Sequence, residues 1–281
     1  MHEGPDRLSP QVAILTYGQQ VLAIPKKSPK VFGGWTEVYL DRDRSGFVKD
    51  STLGTPEIME TFRGLKQSIA GMEPQASGVT TAPTYLRLEP GREGKVIEKL
   101  PKGTRFEVFQ RQAAFPKRPN EGFIYAPIRK EVWYKVRLAD NRVGYIFTKN
   151  FKLEPPFEIL KYTQFRRVMA WLKLRTVTGE SFGSVPEYLV AYASQDGDFG
   201  ADFDRIEAYF WDGDRYQTAL VLRSLRGILP IRVVRQDKET YFEFTELDPA
   251  HKKQVIVQRY PYAYPFKKVG STTLQEDVGL H

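Results

Sequence analysis

Trp35-Thr-Glu-Val-Tyr-Leu-Asp-Arg-Asp-Arg-Ser-Gly46-Phe-Val48 lies without a gap over Trp133-Tyr-Lys-Val-Arg-Leu-Ala-Asp-Asn-Arg-Val-Gly144-Tyr-Ile146. Trp, Val, Leu, Arg and Gly recur in step, and each Gly precedes an aromatic and then a β-branched residue. Self-similarity of this kind marks one structural unit used twice. Asp41-Arg-Asp-Arg-Ser is rich in turn formers, so the first stretch predicts a β-hairpin, and the second predicts the same.

Outward from the hairpins the match continues, then changes. Leu15 and Gly18 correspond to Leu100 and Gly103. Tyr85–Leu88, Val96–Gly103 and Thr104–Phe109 alternate apolar and polar residues at period two, the pattern of half-buried strands. The path from Phe109 to Trp133 is about thirteen residues longer than the path from Ile24 to Trp35. The second copy therefore carries an insertion over 110–130, with Phe115, Phe123, Tyr125, Lys117, Arg118, Arg129 and Lys130. Copy one spans 1–54 and copy two spans 83–155.

Between the copies, over 55–82, a helix and a linker are expected. Thr55 suits an N-cap and Pro56 the first helical position. Ile58, Phe62, Leu65 and Ile69 share one face, and Gly71 suits the end. Glu73 to Thr84 reads as a Pro/Ser/Gly/Thr linker. After Pro155-Pro156 a β-rich C-terminal domain is expected over 156–270. Residues 157–175 are ambiguous, with a lean to helix around Phe165–Lys173. Tyr188–Ala193 reads as a strand, and Arg205–Trp211 with Asp214–Leu222 as a hairpin across Asp212-Gly213. Thr240–Thr245 and Gln254–Arg259 read as strands around an Asp248-Pro249 turn. The tail over 271–281 is polar and expected to be loose.

The repeat residues resemble the bacterial SH3 (SH3b) family. Leu86-Arg-Leu-Glu-Pro-Gly-Arg-Glu-Gly-Lys-Val-Ile-Glu-Lys-Leu-Pro-Lys-Gly-Thr-Arg-Phe-Glu-Val is similar to that family's opening. Trp133-Tyr-Lys-Val and Gly144-Tyr-Ile are similar to its close. Copy one departs at its start, where no Leu-Arg pair precedes Pro5, so it is expected to be incomplete or completed from elsewhere. The resemblance implies a mostly β chain: two small SH3-like barrels, a short linking helix and a β-rich C-terminal domain. It also implies a tandem, lipoprotein-type protein of the cell envelope or periplasm that binds peptidoglycan or an envelope protein.

Composition narrows the chemistry. Of 281 residues, none is Cys and only His2, His251 and His281 are His. That excludes disulfides, a thiolate metal site and a Cys nucleophile, and argues against a His triad. No apolar run is long enough to span a membrane. Met1-His2-Glu3-Gly4 opens directly into folded-looking sequence. Membrane attachment is therefore expected only through an N-terminal anchor removed ahead of Met1. The net charge is +8, and residues 85–155 hold sixteen Lys/Arg against eight Asp/Glu. A concentrated positive field attracts polyanions and acidic surfaces, although charge runs are more often solvated faces. Long loops in small domains often bind, which raises the weight of the insertion.

Candidate ligand-binding residues are Trp35, Trp133, Tyr145, Tyr125, Phe123, Arg118, Lys117, Arg129 and Lys130. Trp35 and Trp133 could stack on sugar or peptide, but packing within a barrel wall is the commoner role. Gly46 and Gly144 suit a close backbone approach. Asp196, Asp198, Asp202 and Asp204 could hold Ca²⁺ or supply a hydrolytic carboxylate pair, against the plainer reading of an Asp/Gly turn. Tyr260, Tyr262, Tyr264 and Phe266 form an aromatic stripe on a segment that its prolines mark as an edge strand. No cofactor is expected. Nucleic acid is not expected either, because the aromatics read as barrel core rather than a stacking platform. The leading expectation is a non-catalytic binding protein. The alternatives are a carboxylate hydrolase in the C-terminal domain, or SH3b units that serve only intramolecular packing.

Overall fold

A computed structural model describes residues 1–16, 18–23, 34–114, 131–163, 166–194, 201–236, 239–247, 255–261 and 270–274. The chain divides into two compact units, Met1–Ser68 and Ile69–His281. It is mostly β, as expected from the alternation in the sequence.

In the N-terminal unit, β1 (Leu22–Ala23), β2 (Trp35–Tyr39) and β3 (Ser45–Lys49) form an antiparallel sheet in that order. Val38 and Val48 point into a small core with Met1, against which Ala13, Leu15, Val21, Leu40 and Leu53 pack. A 3₁₀ turn at Asp50–Thr52 leads to helix α1 (Pro56–Ser68). The Thr55 hydroxyl caps it, accepting from the Ile58 amide at 3.4 Å. Phe62 and Leu65 lie on its buried stripe.

The second unit opens with a seven-stranded sheet. Its strands are β4 (Ala76–Thr80), β5 (Thr84–Arg87), β6 (Val96–Leu100), β7 (Arg105–Ala114), β8 (Glu131–Leu138), β9 (Val143–Phe147) and β10 (Phe151–Leu153). Their spatial order is β10-β4-β7-β8-β9-β5-β6. A short helix α2 (Phe157–Leu160) follows. Two antiparallel meanders come next: β11 (Arg167–Gly179), β12 (Gly183–Ala193), β13 (Arg205–Trp211) and β14 (Tyr216–Leu222), then β15 (Gly227–Gln236), β16 (Glu239–Leu247), β17 (Val255–Pro261) and β18 (Gly270–Leu274).

The two repeated stretches share their pairing, not only their sequence. Trp35 opposes Lys49 and Val38 opposes Gly46; Trp133 opposes Phe147 and Val136 opposes Gly144. Each hairpin runs into a 3₁₀ turn, Asp50–Thr52 or Thr148–Asn150. Leu22 and Ala23 oppose Tyr39 and Val38, as Glu107 and Val108 oppose Arg137 and Val136. His2 bridges Phe47 and Gln11, as Arg87 pairs with Tyr145 and Val96. Met1-His2 thus takes the positions of Leu86-Arg87, and Pro5 that of Pro90. The absence of a Leu-Arg pair did not remove the strand position, because backbone bonds set it: the His2 amide and carbonyl bond Phe47 at 2.9 and 2.7 Å.

Several segments differ from the sequence reading. Within the expected linker 73–84, residues 76–80 form β4, whose small side chains carry little alternation. The helix expected near 165–173 is instead strand β11. Its bulges at Val168/Ala170 and Lys173/Arg175 break period two and leave Met169, Ala170, Leu172 and Leu174 buried in a spacing that mimics a helix. The tail beyond 270 forms β18 through Leu274, paired with β17. Strand β15 was not anticipated. The Asp212-Gly213 turn forms as expected, with the Asp212 carboxylate accepting from the Asp214 and Arg215 amides at 3.0 and 2.9 Å.

One apolar core joins the seven-stranded sheet to both meanders, running from Leu86, Val108, Tyr134 and Ile146 through Met169, Leu189 and Ile206 to Leu229, Ile231 and Phe242. Gln75, 1% exposed, stitches the three sheets. Its amide donates to Val108 O and its carbonyl accepts from Trp171 N, both at 2.7 Å. Its side chain donates to Ile231 O at 2.9 Å and accepts from Ile231 N at 2.7 Å. A side-chain amide with both ends satisfied can substitute for a strand partner at a sheet junction.

Candidate functional site

Strand alternation gives the β7–β9 sheet two unlike faces. Tyr134, Val136 and Ile146 turn into the shared core, so Trp133, Lys135 and Arg137, with Tyr145 and Phe147 opposite, share the other face. There cations and aromatic rings alternate. Arg137 lies 4.9 Å from the Phe109 ring centre, and Lys135 lies 5.7 Å from that of Tyr145. Arg87 sits between Tyr85 at 5.4 Å and Trp133 at 6.0 Å, while Arg92 stands 5.9 Å from Phe147. Each contact is electrostatic and strengthens as water is excluded.

The β5–β6 loop closes one side of this face. The Leu88 amide bonds Lys95 O at 2.9 Å, and Arg87 Nη1 donates to Gly94 O at 2.5 Å. Arg92 in that loop pairs with Glu131 at 2.5 Å, at the foot of the insertion. Trp133 Nε1 and Glu131 Oε2 are buried without a hydrogen-bond partner among the described residues. Tyr85 is 45% exposed, whereas Trp133 and Tyr145 are 3% and 5% exposed. Burial depresses the Lys135 ammonium below its usual range. Burial first, and the nearby Glu89 charge second, push the Tyr145 phenol up to about 12.

Residues 81–152 match the bacterial SH3 domain family. The match begins after β4, so Gln75 and β4 lie outside it. No curated protein matches the chain.

Of the residues singled out from sequence, Trp133 and Tyr145 stand in the wall of the SH3 domain. Trp35 holds Trp133's position in the N-terminal unit; it is 8% exposed, with Lys49 5.6 Å from its ring. Lys117, Arg118, Phe123, Tyr125, Arg129 and Lys130 lie outside the described residues, as do Asp196, Asp198, the Asp248-Pro249 turn, Tyr262, Tyr264 and Phe266. The sequence reading missed Arg87, Arg92 and Tyr85. The signal was the period-two placement of Tyr85 and Arg87 on one side of β5.

Asp202 and Asp204 have protein partners. Asp202 Oδ1 pairs with Arg111 of the SH3 domain at 2.5 Å, and its Oδ2 accepts from the Leu229 amide at 2.8 Å. Burial raises the Asp202 carboxyl, and Arg111 offsets part of that. Asp204 accepts from the Ser194 amide at 2.8 Å. Among the described residues no group of three or more potential metal ligands occurs.

Two further features lie in the C-terminal sheets. Glu207, 3% exposed, takes Arg166 at 2.7 Å together with Arg205 and the Tyr209 hydroxyl, which is 2.7 Å from that of Tyr192. Desolvation is the main cause that raises the Tyr192 phenol to about 12 and raises Tyr209 as well. A cavity of about 340 Å³ between β10 and β11 is lined by Tyr134, Phe151, Lys152, Arg166, Arg167 and Met169, among others. Two of its cations face carboxylates, Lys152 to Glu154 at 3.7 Å and Arg166 to Glu207.

Proposed function

We propose that this chain is a non-catalytic binding protein of the bacterial cell envelope, whose SH3 domain holds peptidoglycan or an envelope protein. The cation–aromatic face carries the reading. It combines arginines fixed by aromatic rings with the buried Trp133 indole donor and one buried oxygen of the Arg92-paired Glu131 carboxylate, neither hydrogen-bonded among the described residues. It lies at the foot of the basic insertion. Domains of the matched family commonly bind peptidoglycan or proteins. No described helix is long and apolar enough to cross a membrane.

The N-terminal unit serves as a second, shortened SH3b-like module; its shared register supports this. Against the carboxylate-hydrolase alternative stand Asp202, bonded to Arg111 and the Leu229 amide, and Asp204, bonded to the Ser194 amide. The narrower alternative, SH3b units that only pack within the molecule, draws support from the core shared with the meanders. It leaves the cation–aromatic face without a role.

Cosedimentation with purified peptidoglycan at low and high salt tests the proposal. Pelleting at low salt is expected, weaker at high salt because ions screen exposed charge. An R87A/R92A variant should pellet about tenfold less, the loss of a few charge-assisted contacts. Absence of pelleting at low salt removes the cell-wall reading and leaves the protein partner.

A further inference from the structure

The cavity between β10 and β11 is separate from the cation–aromatic face. Strand alternation turns Tyr134 away from Trp133, so the two sites lie on opposite faces of β8. Tyr134, Phe151 and Lys152 come from the matched SH3 domain, and Arg166, Arg167 and Met169 from the segment beyond it. Small-molecule sites favour such junctions, and about 340 Å³ falls within their usual size. The walls are fixed before any ligand arrives. Phe151 opposes Thr80 and Arg167 opposes Ala193 in their strand ladders. The Phe151 ring stands edge to face with Phe106 and Tyr134, both at 5.2 Å. Arg166 is held by Glu207 at 2.7 Å and lies 5.5 Å from the Tyr192 ring centre.

The inside and the opening differ in chemistry. Tyr134 and Met169 are each 2% exposed, whereas Lys152, Arg166 and Arg167 are exposed. Apolar surface therefore lies within and positive charge at the mouth. Three cations line the cavity and, among the described residues, no carboxylate does. Lys152 and Arg166 are partly offset by Glu154 and Glu207, but Arg167 pairs with no carboxylate among the described residues. Its charge acts inward. Burial raises the Tyr134 phenol, and the charges of Arg111 and Arg167 lower it part of the way back. An inorganic anion would leave the apolar wall uncovered, and a neutral apolar molecule would leave the guanidinium unanswered. We propose that this cavity binds a small organic carboxylate, with its head group on Arg167 and its apolar body against Tyr134, Phe151 and Met169. A planar guanidinium matches a carboxylate through two parallel hydrogen bonds.

NMR of the full chain labelled with ¹³C-methyl methionine tests this. The methionines are Met1, Met59, Met72 and Met169, and of these only Met169 lines the cavity. The probes are butyrate, hexanoate and phenylacetate, with hexanamide and phenylacetamide as neutral counterparts. At least one acid should shift the Met169 methyl saturably. Its amide should bind about tenfold more weakly or worse, for want of the charge-assisted pair. R167Q removes the charge from an exposed position. It should keep the wild-type melt and bind the acid about tenfold more weakly. The proposal is overturned if no acid moves Met169 at tens of millimolar, or if acid and amide bind alike; neither result depends on a variant. Wild-type affinity in R167Q overturns it as well.

Discussion

The N-terminal unit and the SH3 domain carry the same hairpin in the same register, yet they stand in different surroundings. In the SH3 domain, β7 is covered by β4 at its edge, and the inner face continues into the core of two meanders. The described core of the N-terminal unit is local, built on Met1, Val38 and Val48. The repeated residues thus specify the hairpin and little more. What surrounds it depends on residues the repeat does not share, such as Gln75 and Arg111. These two join the SH3 domain to the C-terminal sheets, so the comparison is broken most severely by removing one of them.

Arg111→Met should have the largest effect. It leaves the buried Asp202 without its countercharge, a loss that typically costs about 3–5 kcal/mol. The effect should depend on pH. Asp202 already has a raised pKa in the folded protein, so it binds its proton more tightly folded than unfolded. Its contribution to stability is therefore fully present below the unfolded pKa and fades as pH rises through the folded value. Without Arg111 the folded pKa rises further. The gap between variant and wild type should be widest at neutral pH and narrow in acid, where a protonated carboxyl needs no partner. Urea unfolding at a series of pH values reads this directly. A gap that does not change with pH would mean that Arg111 acts by packing alone.

The next effect separates the two hairpins. A Cβ at Gly144 would stand 2.7 Å from Arg87 O and 2.8 Å from the Leu86 side chain; at Gly46 it would stand 2.6 Å from His2 O and 2.8 Å from Met1 Cγ. The clashes are alike, but the opposing strands are not. β5 lies between β9 and β6, and Leu86 is fully buried. The Met1-His2 segment is held by isolated bridges and gives way more easily. Gly144→Ala should therefore cost about 3 kcal/mol and Gly46→Ala about 1 kcal/mol, within the usual range for overpacking. Amide exchange at Tyr145 and Phe47 would report the two sites separately. Equal losses would show that Met1-His2 is held as firmly as β5.

How much of this was legible follows from the same contrast. The hairpins, the capped helix and the Asp212-Gly213 turn were readable because each rests on contacts between near neighbours in sequence. The β4 strand was not. Its residues are small, and it is fixed by β7, β10 and Gln75, whose partner Ile231 is 156 residues away. β11 failed for another reason, since two bulges turned a strand pattern into a helical one. Trp133 drew attention as an aromatic, but its neighbours Arg87 and Arg92 give the face its chemistry. Their importance appears only once β5 and the 88–95 loop are placed beside β8 and β9. Asp202 read as a metal or catalytic candidate because nothing local in the sequence links it to Arg111.

The smallest effect tests why the matching positions diverged. Glu107 and Arg137 are cross-strand neighbours, 44% and 33% exposed as side chains, in a pair that water and salt screen. Arg137 also rests on the Phe109 ring, a contact that survives loss of the carboxylate. Glu107→Gln should therefore cost only about 0–1 kcal/mol, and less in high salt. A loss that small would mean the pair contributes little to folding. Its role would then be to keep this part of the SH3 sheet hydrated, where the N-terminal unit presents Leu22 and Tyr39. An E107L/R137Y variant, measured beside Glu107→Gln, carries that argument further. It should fold with nearly unchanged stability, because β4 still covers the edge of β7. Urea unfolding of both variants checks this; a loss above about 2 kcal/mol in E107L/R137Y would show that the half-exposed pair holds β7 to β8 after all.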